Sequence, residues 1–328
     1  MKKAFKTAKP LYRDPIFDGA SDPTVIFNRQ ENNWWMFYTQ RRATAFVAGA
    51  SNVHGTEIGV AISYDNGRHW IYEGVLDSLH IERGHNTFWA PEIVYDGKRF
   101  YYMYVSYIHG VPHEFGLSKR LKNGIACYVS ENLWDWTFVS FIHHDKLTAI
   151  DACVHPRMEG GYRMWFRNDK IKKGQIFCSD SDDLLAWREP FLALDDIPAE
   201  GPNVFFFRGC YWLITDPIMG NSKGLLVYRS SDLESWEKTD RILNEIGNGC
   251  LDEGYGRHAD VVVCGERAFI FYFTQPYRRY HVAQNSYEFI NADEARCVVQ
   301  AAELEAKDGR LICDRNKDFD LFLNSVKE

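Results

Sequence analysis

DPTVIF (22–27), WWMFYT (34–39) and GVAISYDNGRHW (59–70) form one phrase of this chain. It reads as a short strand, a polar turn, an aromatic strand, a looser connection, and a strand ending in Ser, a few polar residues and Trp. The phrase returns as APEIVY (90–95), FYYMYVSY (100–107) and GIACYVSENLWDW (124–136). A third copy runs DACVHP (151–156), YRMWFRN (162–168), GQIFCSDSDDLLAW (174–187), and a fourth GPNVFFF (201–207), CYWLITD (210–216), GLLVYRSSDLESW (224–236). The last copy, ADVVVC (259–264), AFIFYFT (268–274) and RCVVQAAELEAKDGRL (296–311), lacks the Trp and turns through KDGR like a hairpin. Each copy holds roughly four short alternating strands, and long amphipathic helical patterns are absent. Repeated units of this size, built from small antiparallel sheets, predict an all-β, five-bladed β-propeller. A two-sheet sandwich accounts for the strands but not for the returning strand order and terminal Trp.

Working outward, no Pro-rich linker or charge block divides the 328 residues. One domain spanning 1–328 with short terminal extensions is expected, the end segment NKDFDLFLNSVKE acting as a cap or tail. Aromatic residues make up 15% of the chain, which suits strands and offers flat faces for sugars. The net charge of -7 opposes a nucleic-acid partner, and no apolar run is long enough to cross a bilayer. The opening MKKAFKTAKPLYRDP lacks the apolar stretch of a secretory signal, so the reading expects a cytoplasmic protein. The eight cysteines are scattered without a CxxC pair and are expected reduced. GYGRHA (254–259) fits a dinucleotide glycine spacing, yet a strand pattern follows where that fingerprint needs a helix. Walker A, HExxH, G-x-S-x-G and EF-hand patterns are absent.

In a propeller the innermost strands line the axis, so their first residues meet at one rim. That position in successive copies gives Asp22, Glu92 with Trp89 beside it, Asp151, Glu200, and Arg257 with His258. Singly, each acid is an ordinary turn residue. Several anions in one cavity are costly unless a ligand, a cation or a raised pKa resolves the conflict, which favours function for the set. Paired carboxylates are what glycoside hydrolysis uses: one protonates the leaving oxygen, the other activates water or attacks the anomeric carbon. Trp89 is expected to stack on sugar. Arg167, Asp169 and Asp216 are expected to reach substrate hydroxyls. His54, His85 and His113 read as solvated loop residues, and the terminal Trp residues as blade packing.

SDPTVI at Asp22, WAPEIVYDGKRFYYMY after Trp89, AIDACV at Asp151 and AEGPNVFF at Glu200 resemble, in order and spacing, glycoside hydrolase family 43 and its five-bladed relatives, families 62, 32, 68 and 117. The resemblance implies that Asp22 is the general base, Asp151 a pKa modulator and orienter, and Glu200 the general acid. It implies an exo-acting, inverting glycosidase on oligosaccharide ends such as α-L-arabinofuranose or β-D-xylose. It also implies that no cofactor is required, with a Ca2+ or Na+ ion on the axis beside His258 as the option. Ala152 stands where the family commonly has Pro, Glu92 where it commonly has Asp, and YGRHA where Gly-His is usual. The alternatives are a sugar-binding propeller without catalysis, or a phosphorylase or transferase on the same scaffold. The sequence leaves the sugar, the linkage and the oligomeric state open.

Overall fold

Strands form wherever aromatic and β-branched residues cluster between turn residues, and their burial reports where each lies in its sheet. The computed structural model describes residues 5–45, 50–112, 123–142, 148–168, 174–218, 223–279 and 291–324. Blade 1 holds β1 (Ala20–Asn28), β2 (Asn33–Gln40), β3 (Glu57–Ser63) and β4 (Ile71–Val75). Blade 2 holds β5 (Thr87–Tyr95), β6 (Tyr101–Ile108), β7 (Asn123–Ser130) and β8 (Thr137–Ile142). Blade 3 holds β9 (Ala149–Pro156), β10 (Tyr162–Asn168), β11 (Gln175–Ser181) and β12 (Phe191–Leu194). Blade 4 holds β13 (Ala199–Phe207), β14 (Cys210–Pro217), β15 (Leu225–Ser230) and β16 (Glu237–Ile242). Blade 5 holds β17 (Arg257–Cys264), β18 (Arg267–Thr274), β19 (Val298–Lys307) and β20 (Arg310–Cys313). Each is a four-stranded antiparallel sheet in sequence order, the five forming a β-propeller as the repeat predicts. β2 and β6 are buried at every position because neighbouring blades cover both faces, whereas the outer β4 is largely open.

The terminal Trp explains why the phrase repeats. Trp70, Trp136, Trp187 and Trp236 each meet an aromatic ring on the second strand of the preceding blade: Phe271, Phe37, Tyr104 and Trp165. All four pairs are perpendicular, at 83–86°, the edge-to-face arrangement that aromatic quadrupoles favour. The turn before three of them is one device, in which Ser130, Ser181 and Ser230 accept the backbone N–H three residues on. Leu133, Leu184 and Leu233 then take a left-handed φ near +66–68°. Blade 5 lacks the Trp, and Leu304 and Leu311 pack in the same cluster as Trp212 instead. Its KDGR turn places Asp308 and Gly309 both at positive φ, as a type I′ hairpin needs.

The ring closes between blades 5 and 1. Leu11 and Tyr12 bond to the backbone of Val299, and Thr7 to that of Phe319. Phe319, Leu321 and Leu323 are buried beside Phe27 and Phe269, so the C-terminal segment seals this seam. The eight cysteines form no disulfide.

Candidate active site

At the start of every inner strand, two residues oppose one on the second strand, a bulge that turns the backbone and re-aims a side chain. The bulged residues fall between Ser21 and Thr24, Trp89 and Glu92, Ile150 and Cys153, Glu200 and Asn203, and Arg257 and Asp260. The first bulged residue has positive φ in every blade: Asp22 (+50°), Ala90 (+47°), Asp151 (+57°), Gly201 (+54°) and His258 (+35°). The repeat therefore aligns as SDPT, WAPE, IDAC, EGPN and RHAD, with Pro or Ala always third. Asp22, Asp151 and His258 are true equivalents, and Glu200 stands one residue earlier.

Glu92 is a correction. It lies two residues past the bulge position, level with Thr24, Cys153, Asn203 and Asp260. These five side chains form a belt in which each reaches the next blade. Thr24 Oγ1 donates to the Pro91 carbonyl, and Glu92 Oε1 accepts from Val154 N–H at 2.7 Å. Cys153 Sγ accepts from Val204 N–H at 3.2 Å, and Asn203 Nδ2 donates to Asp260 Oδ1 at 3.0 Å. Asp260 Oδ2 accepts from Val25 N–H at 2.8 Å, which closes the circle. Burial, then the Asp260 charge, pushes Glu92 well above the carboxylate range, and burial pushes Asp260 up to about 6. Glu92 thus holds blades together instead of standing beside Asp22 and Asp151 at the rim.

At the rim proper, charges of both signs crowd together. Asp22 is 4% exposed; Arg41 Nη2 lies 3.4 Å from its carboxylate, His258 Nδ1 3.6 Å, and Ser21 Oγ donates to it at 3.0 Å. Burial alone would raise its pKa, but Arg41, His258, Thr39 and Ser21 together hold it below the ordinary value. Asp151 N–H donates to Ser106 Oγ at 2.9 Å. Its carboxyl is pushed up to about 6, by burial first and by Glu200 and Asp22 against the pull of His258 and Arg167. Asp216, opposite Glu200 across β13 and β14, accepts His258 N–H at 3.0 Å. Burial raises it to about 7 despite Arg257 and His258. Glu200 Oε2 accepts from Arg167 Nη1. The His258 ring packs on the Gly201 α-carbon, where a Cβ would sit 2.9–3.1 Å from the ring, so β13 needs glycine there on both space and φ. Burial lowers the imidazole pKa, but Asp22, Asp151, Asp216 and Glu200 outweigh it and raise it.

Trp89 is partly exposed and tilts against His54 at 5.2 Å, its Nε1 donating to the Val53 carbonyl at 2.6 Å. His54 is a correction too: it is fully buried behind Trp89, and that burial lowers its pKa. His85 is exposed enough to fit its loop reading, while Asp169 and His113 lie outside the described residues. The structure adds two residues that the repeat did not expose, Arg41 after β2 and Arg278 after β18. Both sit outside the recurring phrase, so the only signal for them is their arginine chemistry. Around His258 the acting charges are the carboxyls of Asp22, Asp151, Asp216 and Glu200, with Arg41 on Asp22 and Arg257 acting on Asp216; among the described residues no three His, Cys, Asp or Glu side chains group as metal ligands.

No protein-family model matches the chain, and no curated protein matches it in sequence. Solved structures do. A thermostable family-43 glycoside hydrolase superposes with a TM-score of 0.67 at 19% identity, over 92% of this chain and 95% of that one. A family-43 β-xylosidase/α-arabinofuranosidase from a compost microbial metagenome, in complex with xylotriose and calcium-free, gives 0.66 at 12% identity, over 94% and 98%. An exo-1,5-α-L-arabinanase from a bovine ruminal metagenomic library gives 0.59 at 16%, over 92% and 99%. At such identities the likeness establishes the five-bladed fold.

Proposed function

We propose that this chain is a glycoside hydrolase that removes terminal sugars from oligosaccharides with inversion. The observation that carries the reading is the unlike environments of neighbouring carboxyls: Asp22 is held ionised while Asp151 is pushed up to about 6. Carboxyls whose environments push them apart are how acid and base roles are divided at one pH.

Asp22, ionised and oriented by Ser21 and Arg41, takes a proton from a water molecule. That water attacks the anomeric carbon as Glu200 gives a proton to the leaving oxygen. Inversion expects acid and base about 6.5–9.5 Å apart, with room for the water between them. Asp151, fixed through its N–H on Ser106, orients the acid and adjusts its charge. Trp89 offers a partly exposed indole, braced by His54 and Val53, as a stacking face for the sugar. Similar structures include a family-43 β-xylosidase/α-arabinofuranosidase, a family-43 β-1,3-galactosidase and an exo-1,5-α-L-arabinanase, and terminal sugars of those kinds are the substrates to try first.

The test is hydrolysis of a panel of aryl and natural glycosides by wild type and Glu200→Ala. Aryl leaving groups need little acid help, so the variant is expected to keep more activity on them than on natural linkages, where the loss is about 10²–10⁴-fold. Equal losses on both classes overturn the acid assignment. No turnover on any glycoside, with sugar binding retained, favours the non-catalytic propeller.

A further inference from the structure

The rim is richer in guanidinium groups than an uncharged sugar requires. Arg41 from blade 1, Arg167 from blade 3, and Arg257 and Arg278 from blade 5 all act on the Asp22–Asp151–Glu200–Asp216 group. This occurs in a chain whose net charge is -7. Arg278 is repelled by both Arg257 and Arg41; with burial as the larger cause, this lowers its pKa to about 10. Like charges are gathered only where something offsets their repulsion. The carboxyls offset part of it, but Asp151 and Asp216 are shifted toward their neutral forms.

Two further donors lie in the same place without partners. Arg41 Nε is buried and unbonded, although Nη2 faces Asp22. Gln275 is 5% exposed; its Oε1 accepts from Arg278 Nη1 at 2.9 Å, which leaves its buried Nε2 unbonded. Buried donors of this kind have a cost unless a ligand satisfies them. Guanidinium and amide donors match the oxygens of a carboxylate, sulfate or phosphate, and the unpaired Asp216 Oδ1 beside them belongs to a carboxyl that burial shifts toward its neutral form.

We propose that Arg41, Arg257, Arg278 and Gln275 form an oxyanion subsite beside the reacting carboxyls. The inference rests on the glycosidase reading for its sugar and on the cluster itself for its charge. The oxyanion is either a substituent of the sugar, as in a uronide or a sulfated sugar, or free phosphate entering beside the sugar. On the first source, the enzyme's preferred substrate is an acidic terminal sugar. Arg167 is bound to Glu200 Oε2 and is not counted in the subsite.

The test measures binding and turnover separately at matched ionic strength. Binding of D-glucuronate, D-galacturonate, a sulfated sugar and inorganic phosphate is compared by calorimetry with the neutral sugars or methyl esters. At least one oxyanion is expected to bind about tenfold or more tightly than its neutral counterpart. Arg257→Gln and Arg278→Gln should remove most of that difference, and Arg278→Lys should restore part of it. Circular dichroism checks that the variants fold, and the wild-type comparison stands without them. Equal binding of charged and neutral probes overturns the proposal, as does an unchanged preference in both glutamine variants. In turnover, preferred hydrolysis of aryl uronides or sulfated glycosides over neutral ones assigns the anion to the sugar. Cleavage that requires phosphate assigns it to phosphate. Hydrolysis of neutral glycosides with no oxyanion preference sinks the subsite and leaves the glycosidase reading standing. Oxyanion binding without turnover on any glycoside does the reverse.

Discussion

Two rings of polar side chains encircle the axis, about two residues apart along the inner strands, and they solve opposite problems. In the belt of Thr24, Glu92, Cys153, Asn203 and Asp260, each side chain is bonded to the next blade. At the rim, Asp216 Oδ1 and Arg41 Nε are buried without partners and charges face one another at 3.4–3.6 Å. The belt spends its polarity on the fold, and the rim keeps its own for a ligand. Unfinished bonding alone does not separate the rings, since Asn203 Oδ1 in the belt is also buried without a partner; the rim differs in the crowd of charges that face one another there.

The largest effect should come from the rim. Asp22→Asn keeps the shape and removes the base, so kcat on the best glycoside is expected to fall about 10³-fold or more, while the fold survives. Glu92→Gln preserves an amide oxygen for Val154 N–H and should change kcat by no more than about threefold. Steady-state kinetics on the two variants tests the division directly. A Glu92→Gln loss as deep as that of Asp22→Asn would erase the distinction between the rings.

The belt should yield the next effect, in stability. Glu92→Leu leaves Val154 N–H buried without an acceptor, a cost of about 1–3 kcal/mol, whereas Glu92→Gln should stay within about 1 kcal/mol of wild type. Urea denaturation of the two variants measures the gap. If leucine and glutamine unfold together, the Glu92 bond contributes nothing and the belt is only a contact.

How far the sequence reached follows the same division. The blades were legible because Trp70, Trp136, Trp187 and Trp236 each pack on the blade before, so the repeat period is also the packing period. Asp22 and Asp151 were legible for a related reason: one bulge recurs, and they occupy its first position. Glu92 was misplaced because WAPE offers its acid two residues late, and only the register with β6 shows that. His54 read as a solvated loop residue because its partner, Trp89, is distant in sequence and met only in space. Arg41 and Arg278 belong to the loops beyond the second strands, where the repeat makes no demand and no periodicity marks them.

A smaller, pH-dependent effect separates the rings again. Asp216 has a folded pKa near 7, above its unfolded value, so the native state holds its proton more tightly. Its contribution to stability is therefore greatest at low pH and is lost as pH rises from about 4 through about 7. Asp216→Asn retains an oxygen for His258 N–H and cannot ionise. Relative to wild type it should gain about 1–2 kcal/mol between pH 5 and pH 8, even as activity falls. Thermal unfolding at the two pH values checks the sign; a gain confined to pH 5 would contradict the assigned direction.

The smallest effect expected is that of metal removal. A cation on the Asp22 side of the rim would share that carboxylate with Arg41, which already lies 3.4 Å from it. The guanidinium supplies there the positive charge that a metal would bring, and it supplies it permanently. Treatment with EDTA, and addition of Ca2+ afterwards, should leave turnover and Tm where they were. Arg41→Met removes that charge, and its response to Ca2+ sharpens the point. A calcium-dependent recovery in this variant alone would show that the arginine stands in for a cation; a dependence already present in wild type would mean that the rim is completed by a metal after all.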